Sequence, residues 1–268
     1  MPPESLLPTF SAERLEEHAS WLRPDHLDGT ALRLAYQSLL IESGGMRIVV
    51  DTCRGDGRPL PAGRGLVKTD YYANLLAVVA PQTVDLVVCT HLHYDHVGWN
   101  VREDAGRWVP TFPNAEYLFV RSEYEHWTGP DGESPNVDLE YAVCPIVDAG
   151  LHRLVEADHV LTDEVALVPT PGHSPGHVSL RIHSGGEEAW ITGDAVHHPV
   201  QLAEPTWSSH ADLAPAQAAA TRLALAETLV ETGALVIGTH FASPTVGVLF
   251  RSAAGHIELV SNRAAGRR

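Results

Sequence analysis

The sequence predicts an α/β fold in which two β-sheets pack together with helices on the outside. Along the chain, groups of strand-like apolar runs are followed by helical segments, and this succession occurs twice. Residues with the chemistry of metal ligands come directly after several of the apolar runs, where loops carry function. The 268 residues, 44% hydrophobic and 19% charged, are ordinary for a globular enzyme with a large core.

The first half of the chain begins its regular structure with a hairpin. Residues 32–43 and 46–53 read as two strands joined at Gly44-Gly45, a favourable pair for a tight turn. A helix is predicted over 69–80, where apolar residues recur at helical spacing and Pro81 follows as a stop. The remaining elements predicted in this half are strands at 84–90 and 115–120 and a helix over 121–127.

The second half repeats the pattern, and its predicted elements are strands at 166–170, 177–184, 187–194 and 234–240, with an alanine-rich helix over 212–232. We expect a single domain over 1–268, with 1–29 as an N-terminal extension and 260–268 as a flexible tail. Residues 129–140 are the most polar loop, and we expect them to form a lid or insertion that shapes substrate choice.

Composition excludes several classes of function. With 34 acidic against 18 basic residues the net charge is −16, so nucleic acid is not an expected partner. The apolar runs are too short to cross a bilayer, so no membrane association is expected. No signal-peptide pattern opens the chain, and its three cysteines lack a CxxC spacing, which favours a cytoplasmic protein. The 16 histidines stand out and indicate metal binding.

The first histidine cluster follows the predicted strand 84–90. On an extended segment residues two apart project to the same side, so His91 and His93 can converge on one cation. Asp95 and His96 come next, as the chain turns, and can face a second cation beside the first. Imidazole and carboxylate are ligands expected for zinc and its neighbours.

Four ligands do not complete two sites, so further ligands should arrive from later strands. His173, Asp194 and His240 each stand at the end of an apolar run. A lone histidine after a strand is more often structural, but the joint placement of these three favours ligation. A carboxylate has two oxygens, and Asp194 is the natural bridge between two cations.

The order HxHxDH, then H, D and H, resembles the signature of the metallo-β-lactamase superfamily, and the resemblance covers roughly residues 30 to 250. It implies an αββα sandwich, with two mixed β-sheets flanked by helices and a two-metal site. The ligands that the resemblance implies are His91, His93 and His173 for the first metal, Asp95, His96 and His240 for the second, and Asp194 as the bridge. It also implies two divalent ions per chain, with zinc as the expected metal and Mn, Fe or Co as alternatives.

Within that superfamily the motif loops look most like the branch of methyl parathion hydrolase and the N-acyl homoserine lactonases. The function implied is that of a zinc-type esterase or lactonase, which uses a metal-bridging hydroxide to open a lactone or cleave a carboxylic ester. The alternative is hydrolysis of an organophosphate or phosphodiester at the same site. The expected partner is thus a small-molecule ester, lactone or phosphoester, and a homodimer is left open.

The catalytic residues expected are Asp95, Asp194 and His197. Lactonases of this branch carry a tyrosine three residues after the bridging aspartate, where this chain has His197. An imidazole can also donate a hydrogen bond to a carbonyl or phosphoryl oxygen, so His197 is expected to contact the substrate. The alternative is that His197 is a solvent-exposed loop residue without a catalytic role. Trp127 and Trp207 are expected to line the site around an apolar leaving group of the substrate. The alternative is that both side chains pack in the core.

Two other classes of function were considered. Flavodiiron oxygen reductases share this fold, but they carry glutamate where this chain has His93 and a flavin-binding domain for which the chain has no room. A metal-binding protein without catalysis is disfavoured by the complete set of ligands. His177 and His198 are interpreted as groups that orient ligands, with ordinary structural hydrogen bonding as the alternative.

Overall fold

The computed structural model describes residues 1–57, 68–130, 132 and 138–261. Its strands are β1 (Leu27–Asp28), β2 (Ala31–Leu32), β3 (Leu39–Ser43), β4 (Met46–Val50), β5 (Leu86–Val88), β6 (Val101–Asp104), β7 (Arg107–Pro110), β8 (Glu116–Val120), β9 (His152–Val155), β10 (Val165–Pro169), β11 (Val178–Ser184), β12 (Glu187–Ile191), β13 (Leu235–Ile237), β14 (Val246–Arg251) and β15 (Ile257–Ser261). Its α-helices are α1 (Ala12–Glu17), α2 (Ala19–Leu22), α3 (Tyr71–Val78), α4 (Tyr94–Val97), α5 (Arg121–Thr128), α6 (Cys144–Asp148), α7 (Val200–Ala203) and α8 (Pro215–Thr232). The predicted α/β class is confirmed.

The chain divides into two compact units. We call Tyr36–Asp163 the central unit, and Met1–Ala35 with Glu164–Arg268 the terminal unit. Each unit contains one mixed sheet, of order β3-β4-β5-β8-β9 in the central unit and β10-β11-β12-β13-β14-β15 in the terminal unit.

The predicted hairpin opens the sheet of the central unit. Strands β3 and β4 pair antiparallel, with Ser43 opposite Met46, so the turn has two residues. Gly44 and Gly45 both have positive φ, 59° and 80°, which is the backbone that a tight hairpin turn of this type requires. Glycine adopts it without the strain that a side chain would introduce.

Strands β4, β5, β8 and β9 of the central unit run parallel to one another. The residues that follow parallel strands lie at one edge of the sheet, so Asp51 after β4 and His91 after β5 come to the same edge. Below them the core is formed by apolar side chains such as Val87, Phe119 and Ile146, all of which are fully buried.

In the terminal unit, β12 and β13 pair parallel and the other neighbours pair antiparallel. Helix α8 buries Leu225, Ala226 and Leu229 in a core shared with Val236 of β13. The helix begins at Pro215, a favourable first position, and Gly233 follows it with φ 66°, the left-handed conformation that ends many helices.

The N-terminal residues belong to the terminal unit and have a core of their own. Leu7, Leu15 and Leu22 are buried together with Val200 and Trp207. The single-domain assignment and the extension over 1–29 stay predictions. Of the predicted tail over 260–268, residues 262–268 lie outside the described residues, whereas Val260 and Ser261 belong to β15; of the predicted lid over 129–140, residues 131 and 133–137 lie outside them. No helix in the described ranges is both long and apolar enough to cross a membrane.

Buried, neutral histidines in the terminal unit should make its folding sensitive to acid. His198 Nε2–H donates to the carbonyl of His26 (2.9 Å), and its Nδ1 accepts from the N–H of Val200 (3.2 Å). Burial lowers the pKa of His198 to about 3, against the opposing effect of its hydrogen bond to the His26 carbonyl. Burial also lowers the pKa of His26 to about 4. Protonation of His198 would place a proton where the Val200 N–H now points.

We therefore expect the free energy of unfolding to fall as the pH drops from about 6.5 towards 3, by up to about 1.4 kcal/mol per pH unit for each such histidine. The sign follows because the unfolded chain binds these protons at a higher pH than the folded chain does. Urea unfolding of wild type and His198→Asn between pH 3 and 7 measures the difference, because asparagine does not titrate. Exposed His183→Asn is the control. Parallel curves for wild type and His198→Asn would contradict the assignment.

Candidate metal centre

The central unit gathers the three histidines of the first motif at the end of β5. His91 and His93 lie with their ring centroids 4.5 Å apart, and His91 and His96 with theirs 4.1 Å apart. All three imidazoles are buried, and Asp95 is partly buried on the short helix α4 beside His96. The structure thus brings the three rings together, and their convergence on cations stays a prediction.

Asp51 supports this cluster and was not predicted from the sequence. His96 Nδ1–H donates to Asp51 Oδ2 (2.7 Å), while the backbone N–H and the hydroxyl of Thr90 donate to the same carboxylate (2.8 and 2.9 Å). A carboxylate on Nδ1 fixes the tautomer with the lone pair on Nε2, which is how metal-binding histidines are commonly held. The signal in the sequence was the aspartate directly after the apolar run of β4.

Trp127 lies beside the same cluster. Its ring centroid is 5.6 Å from that of His93, and its Nε1–H donates to Glu123 Oε1 (2.6 Å), which also accepts from the N–H of Leu92 (3.1 Å). Trp127 is 3% exposed and packs in the core of the central unit. This arrangement ties the loop after β5 to α5, and the predicted substrate contact of Trp127 stays a prediction.

In the terminal unit, Asp194 lies between two predicted ligands. Its Oδ2 is 3.4 Å from His173 Nε2, and its Oδ1 is 3.2 Å from His240 Nε2. Asp194 follows β12 in a single turn of 3₁₀-helix, Gly193–Ala195. Each carboxylate oxygen therefore faces a different imidazole, as a carboxylate that bridges two cations must.

Hydrogen bonds orient the imidazoles of His173 and His240 and also the turn that carries Asp194. His240 Nδ1–H donates to the carbonyl of Ala35 (2.9 Å), and His173 Nδ1–H donates to Asp212 Oδ1 (2.8 Å). His177 Nε2 accepts from the backbone N–H of Asp194 (2.8 Å). His177 thus orients the Asp194 turn, whereas the ring of His198 is hydrogen-bonded to the backbone of His26 and Val200.

Asp212 is the second carboxylate that the sequence did not reveal. Besides His173 it accepts from the N–H of Ser209 (2.9 Å) and from Arg222 Nη2 (3.3 Å). Burial opposes its ionisation, but these hydrogen bonds and the nearby histidine and arginine charges prevail and lower its pKa to about 2. Arg222 is fully buried, and its Nε–H also donates to the carbonyl of Ala195, next to Asp194 (2.8 Å).

His197 lies against the same carboxylate. Its Nε2 is 3.2 Å from Asp194 Oδ2, and its ring centroid is 4.8 Å from that of His173. Burial lowers the pKa of His197 against the opposing effect of Asp194, so the neutral imidazole is favoured. Among the described residues its buried Nδ1 has no hydrogen-bond partner.

Trp207, the other predicted substrate wall, is 5% exposed and packs edge-on against Phe10, with ring centroids 6.3 Å apart. Its carbonyl accepts from Gln201 Nε2 (2.7 Å), and Gln201 Oε1 accepts from the N–H of His197 (2.8 Å). Trp207 therefore supports the loop of His197 through Gln201. Its contact with substrate stays a prediction.

Within each unit, the donors fit divalent cations of the zinc type. They are imidazoles and carboxylates, most of them buried. Oxygen atoms accept the Nδ1 protons of His96, His173 and His240, so the lone pair that can bind a cation is on Nε2. His173, His197 and Asp212 form one group in the terminal unit whose potential ligand atoms all lie within 4.8 Å of one another. The buried Nδ1 of His197 is a polar atom that a cation or a substrate could satisfy. The joint assignment of all seven ligands stays a prediction.

Comparison with known proteins agrees with this chemistry. Residues 33–240 match the model of the metallo-β-lactamase superfamily, and the chain belongs to that superfamily. The N-acyl homoserine lactonase AiiA of Bacillus thuringiensis subsp. kurstaki is 30% identical over 131 residues, which are 48% of this chain and 44% of that protein. The chain thus spans less than half the length of the curated lactonases that it matches.

Solved structures share the fold over nearly the whole chain. The hydrolase AbOPH of the beta-lactamase superfamily superposes with a TM-score of 0.81 at 22% identity, covering 97% of this chain and 89% of that one. The dizinc quorum-quenching lactonase AidC, solved with a product, superposes with a TM-score of 0.76 at 20% identity, covering 96% and 88%. The predicted metallo-β-lactamase fold is confirmed.

Proposed function

We propose that this protein is a two-metal hydrolase that opens a lactone or cleaves a carboxylic ester of a small molecule. The observation that carries the proposal is the position of Asp194, whose two oxygens face two different imidazoles. A carboxylate that served one cation would not need a separate histidine at each oxygen. Membership of the superfamily and the lactonases among the relatives support the choice of reaction.

Two divalent ions, with zinc as the expected metal, would be held by the seven predicted ligands. His91, His93 and His173 would serve one ion, and Asp95, His96 and His240 the other, with Asp194 between them. When bound, such ions lower the pKa of water towards neutrality and polarise a carbonyl group. His96 and His173 would hold these ions through Nε2, because Asp51 and Asp212 accept the protons on their Nδ1 atoms.

Two residues are proposed to act on the substrate itself. If its proton is on Nδ1, which has no hydrogen-bond partner among the described residues, a neutral His197 can donate a hydrogen bond to the carbonyl oxygen as negative charge develops there, which is the transition-state stabilisation that matters most in acyl transfer. Asp95 is proposed to carry a proton to the departing alkoxide, which a lactone needs because its leaving group is a poor one. The net charge of −16 disfavours anionic phosphodiesters relative to neutral esters and lactones.

We expect the metal-replete protein to hydrolyse neutral lactones or aryl esters in a panel that also contains phosphotriesters and β-lactams. The measurement is kcat/KM for each class, before and after chelation and after zinc is restored. Chelation should abolish turnover and lower the melting temperature, because an ion that binds only the folded chain stabilises it. Turnover of phosphotriesters alone would replace the ester assignment by its alternative. Undiminished turnover after chelation would refute the metal mechanism.

A further inference from the structure

A second group of ligand-type side chains lies in the terminal unit and shares no member with the seven predicted ligands. His18 follows α1, Glu204 follows α7, and His256 precedes β15. One nitrogen from each histidine and one carboxylate oxygen all lie within 4.8 Å of one another. Three segments that are far apart in sequence thus bring two imidazoles and a carboxylate together.

The side chains of the group are in close contact and mostly buried. His18 Nε2 is 2.9 Å from Glu204 Oε1, and the rings of His18 and His256 meet edge to face with centroids 5.0 Å apart. His18 is 2% and Glu204 8% exposed, whereas His256 is half-buried. Two histidines and a glutamate are a known protein ligand set for zinc, with water in the fourth position.

The carboxylate is ionised in spite of its surroundings. Burial raises the pKa of Glu204, but hydrogen bonds with His18 and Arg14 outweigh burial and lower it overall. The group therefore offers a negative charge and two imidazoles in a site closed on most sides. A charge of this kind, partly removed from water, favours a cation over solvent.

Arg14 already contacts this carboxylate and would compete with a metal ion. Its guanidinium donates to Glu204 Oε1 through both Nε and Nη2, and its side chain is 44% exposed. Within the described residues, the hydrogen bonds and ion pairs of Glu204 use Oε1 alone. The second oxygen can thus face a cation while Arg14 stays, or Arg14 can swing into solvent.

We propose that His18, Glu204 and His256 bind one divalent cation of the zinc type, at a site that is separate from the proposed catalytic ions. The cation would clamp the N-terminal helices to the hairpin of β14 and β15. Because the ligands converge only in the folded chain, the ion would stabilise the fold by mass action. It would have no part in the hydrolysis itself.

The test is zinc stoichiometry of the full chain, measured by equilibrium dialysis and metal analysis after chelation. We expect wild type to bind one equivalent more than His256→Asn, and the control His183→Asn, an exposed histidine of the same unit, to match wild type. Hydrolytic activity of His256→Asn should equal that of wild type. Because the readout is a difference of one equivalent, it does not depend on how many ions the catalytic ligands hold. Equal stoichiometry in wild type and His256→Asn would overturn the proposal.

Arg14→Gln provides a second test, in which zinc binding is expected to become tighter, whereas His256→Asn is expected to lose it. Removing the competing cation should tighten zinc binding at this site by roughly two- to fivefold, the range that an exposed ion pair is worth. Zinc dissociation constants of Arg14→Gln, with and without His256→Asn, assign the change to this site. If Arg14 is instead the only cation that Glu204 serves, the zinc dissociation constants of Arg14→Gln will be the same with and without His256→Asn, and the site proposal fails.

Discussion

Asp194→Asn is expected to lower kcat/KM for a lactone or ester by roughly a thousandfold or more, while the chain still folds. The scale is that of losing a preorganised electrostatic contact in the transition state. An amide has one carbonyl oxygen, so its NH₂ group must face either His173 or His240, both of which contact Asp194. One of the two proposed ions then loses its shared ligand.

The measurement is kcat/KM together with the zinc content of the purified variant, and circular dichroism checks the fold. Asp158→Asn is the matched control, because it makes the same chemical change at an exposed aspartate. It should behave as wild type. Turnover of Asp194→Asn near that of wild type would show that Asp194 is not the bridge, and the two-metal proposal would lose its main support.

The ligand-type residues could be predicted because each follows an apolar run, so the local sequence carries the signal. Asp212 carries no such signal, and although Asp51 also follows an apolar run, its contact with His96 could not be predicted. Asp51 meets His96 only because β4 and β5 are neighbours in a parallel sheet, and the carboxylate of Asp212 reaches His173 from a loop 39 residues further along the chain. Such supporting contacts are set by tertiary structure, and neither spacing nor periodicity reveals them.

The fold shows the same division. The hairpin at Gly44-Gly45 and the alanine-rich helix over 212–232 were predicted, because a glycine pair and a helix-forming composition mark them locally; in the structure the helix begins at Pro215. Strands β14 and β15 were not predicted. Gly247 interrupts the apolar pattern of β14, since glycine is a weak strand residue, yet a Cβ there would come within 2.5 Å of the Val260 carbonyl oxygen. Because β14 and β15 approach each other closely at this position, glycine is required there. That glycine breaks the apolar pattern from which β14 would have been predicted.

The buried pair of Asp212 and Arg222 should control how tightly the first metal ion is held. Asp212 accepts the Nδ1 proton of His173, and Arg222 links this carboxylate to the carbonyl of Ala195 beside Asp194. One buried arginine therefore supports both a histidine ligand and the turn that carries the proposed bridge. Neither residue is expected to touch substrate, so both are positioning residues.

Asp212→Asn is expected to weaken zinc binding by roughly 10- to 100-fold, the usual effect of losing a carboxylate behind a histidine ligand. If the amide nitrogen turns to His173, it cannot accept the Nδ1 proton, and the tautomer that carries its proton on Nε2 is then favoured. That proton would stand where Nε2 now faces Asp194. Unfolding should also become easier by about 3–5 kcal/mol, because Arg222 would be left buried without its counter-charge.

The two effects can be separated with the double variant Asp212→Asn/Arg222→Met, which removes the unpaired charge. We expect it to regain much of the lost stability, measured by urea unfolding of the metal-free chain, but not the lost zinc affinity, measured by competition with a chelator. Asp158→Asn again serves as the control. If Asp212→Asn loses stability yet binds zinc as tightly as wild type does, then Asp212 only neutralises Arg222. The orientation of His173 would in that case depend on its other contacts.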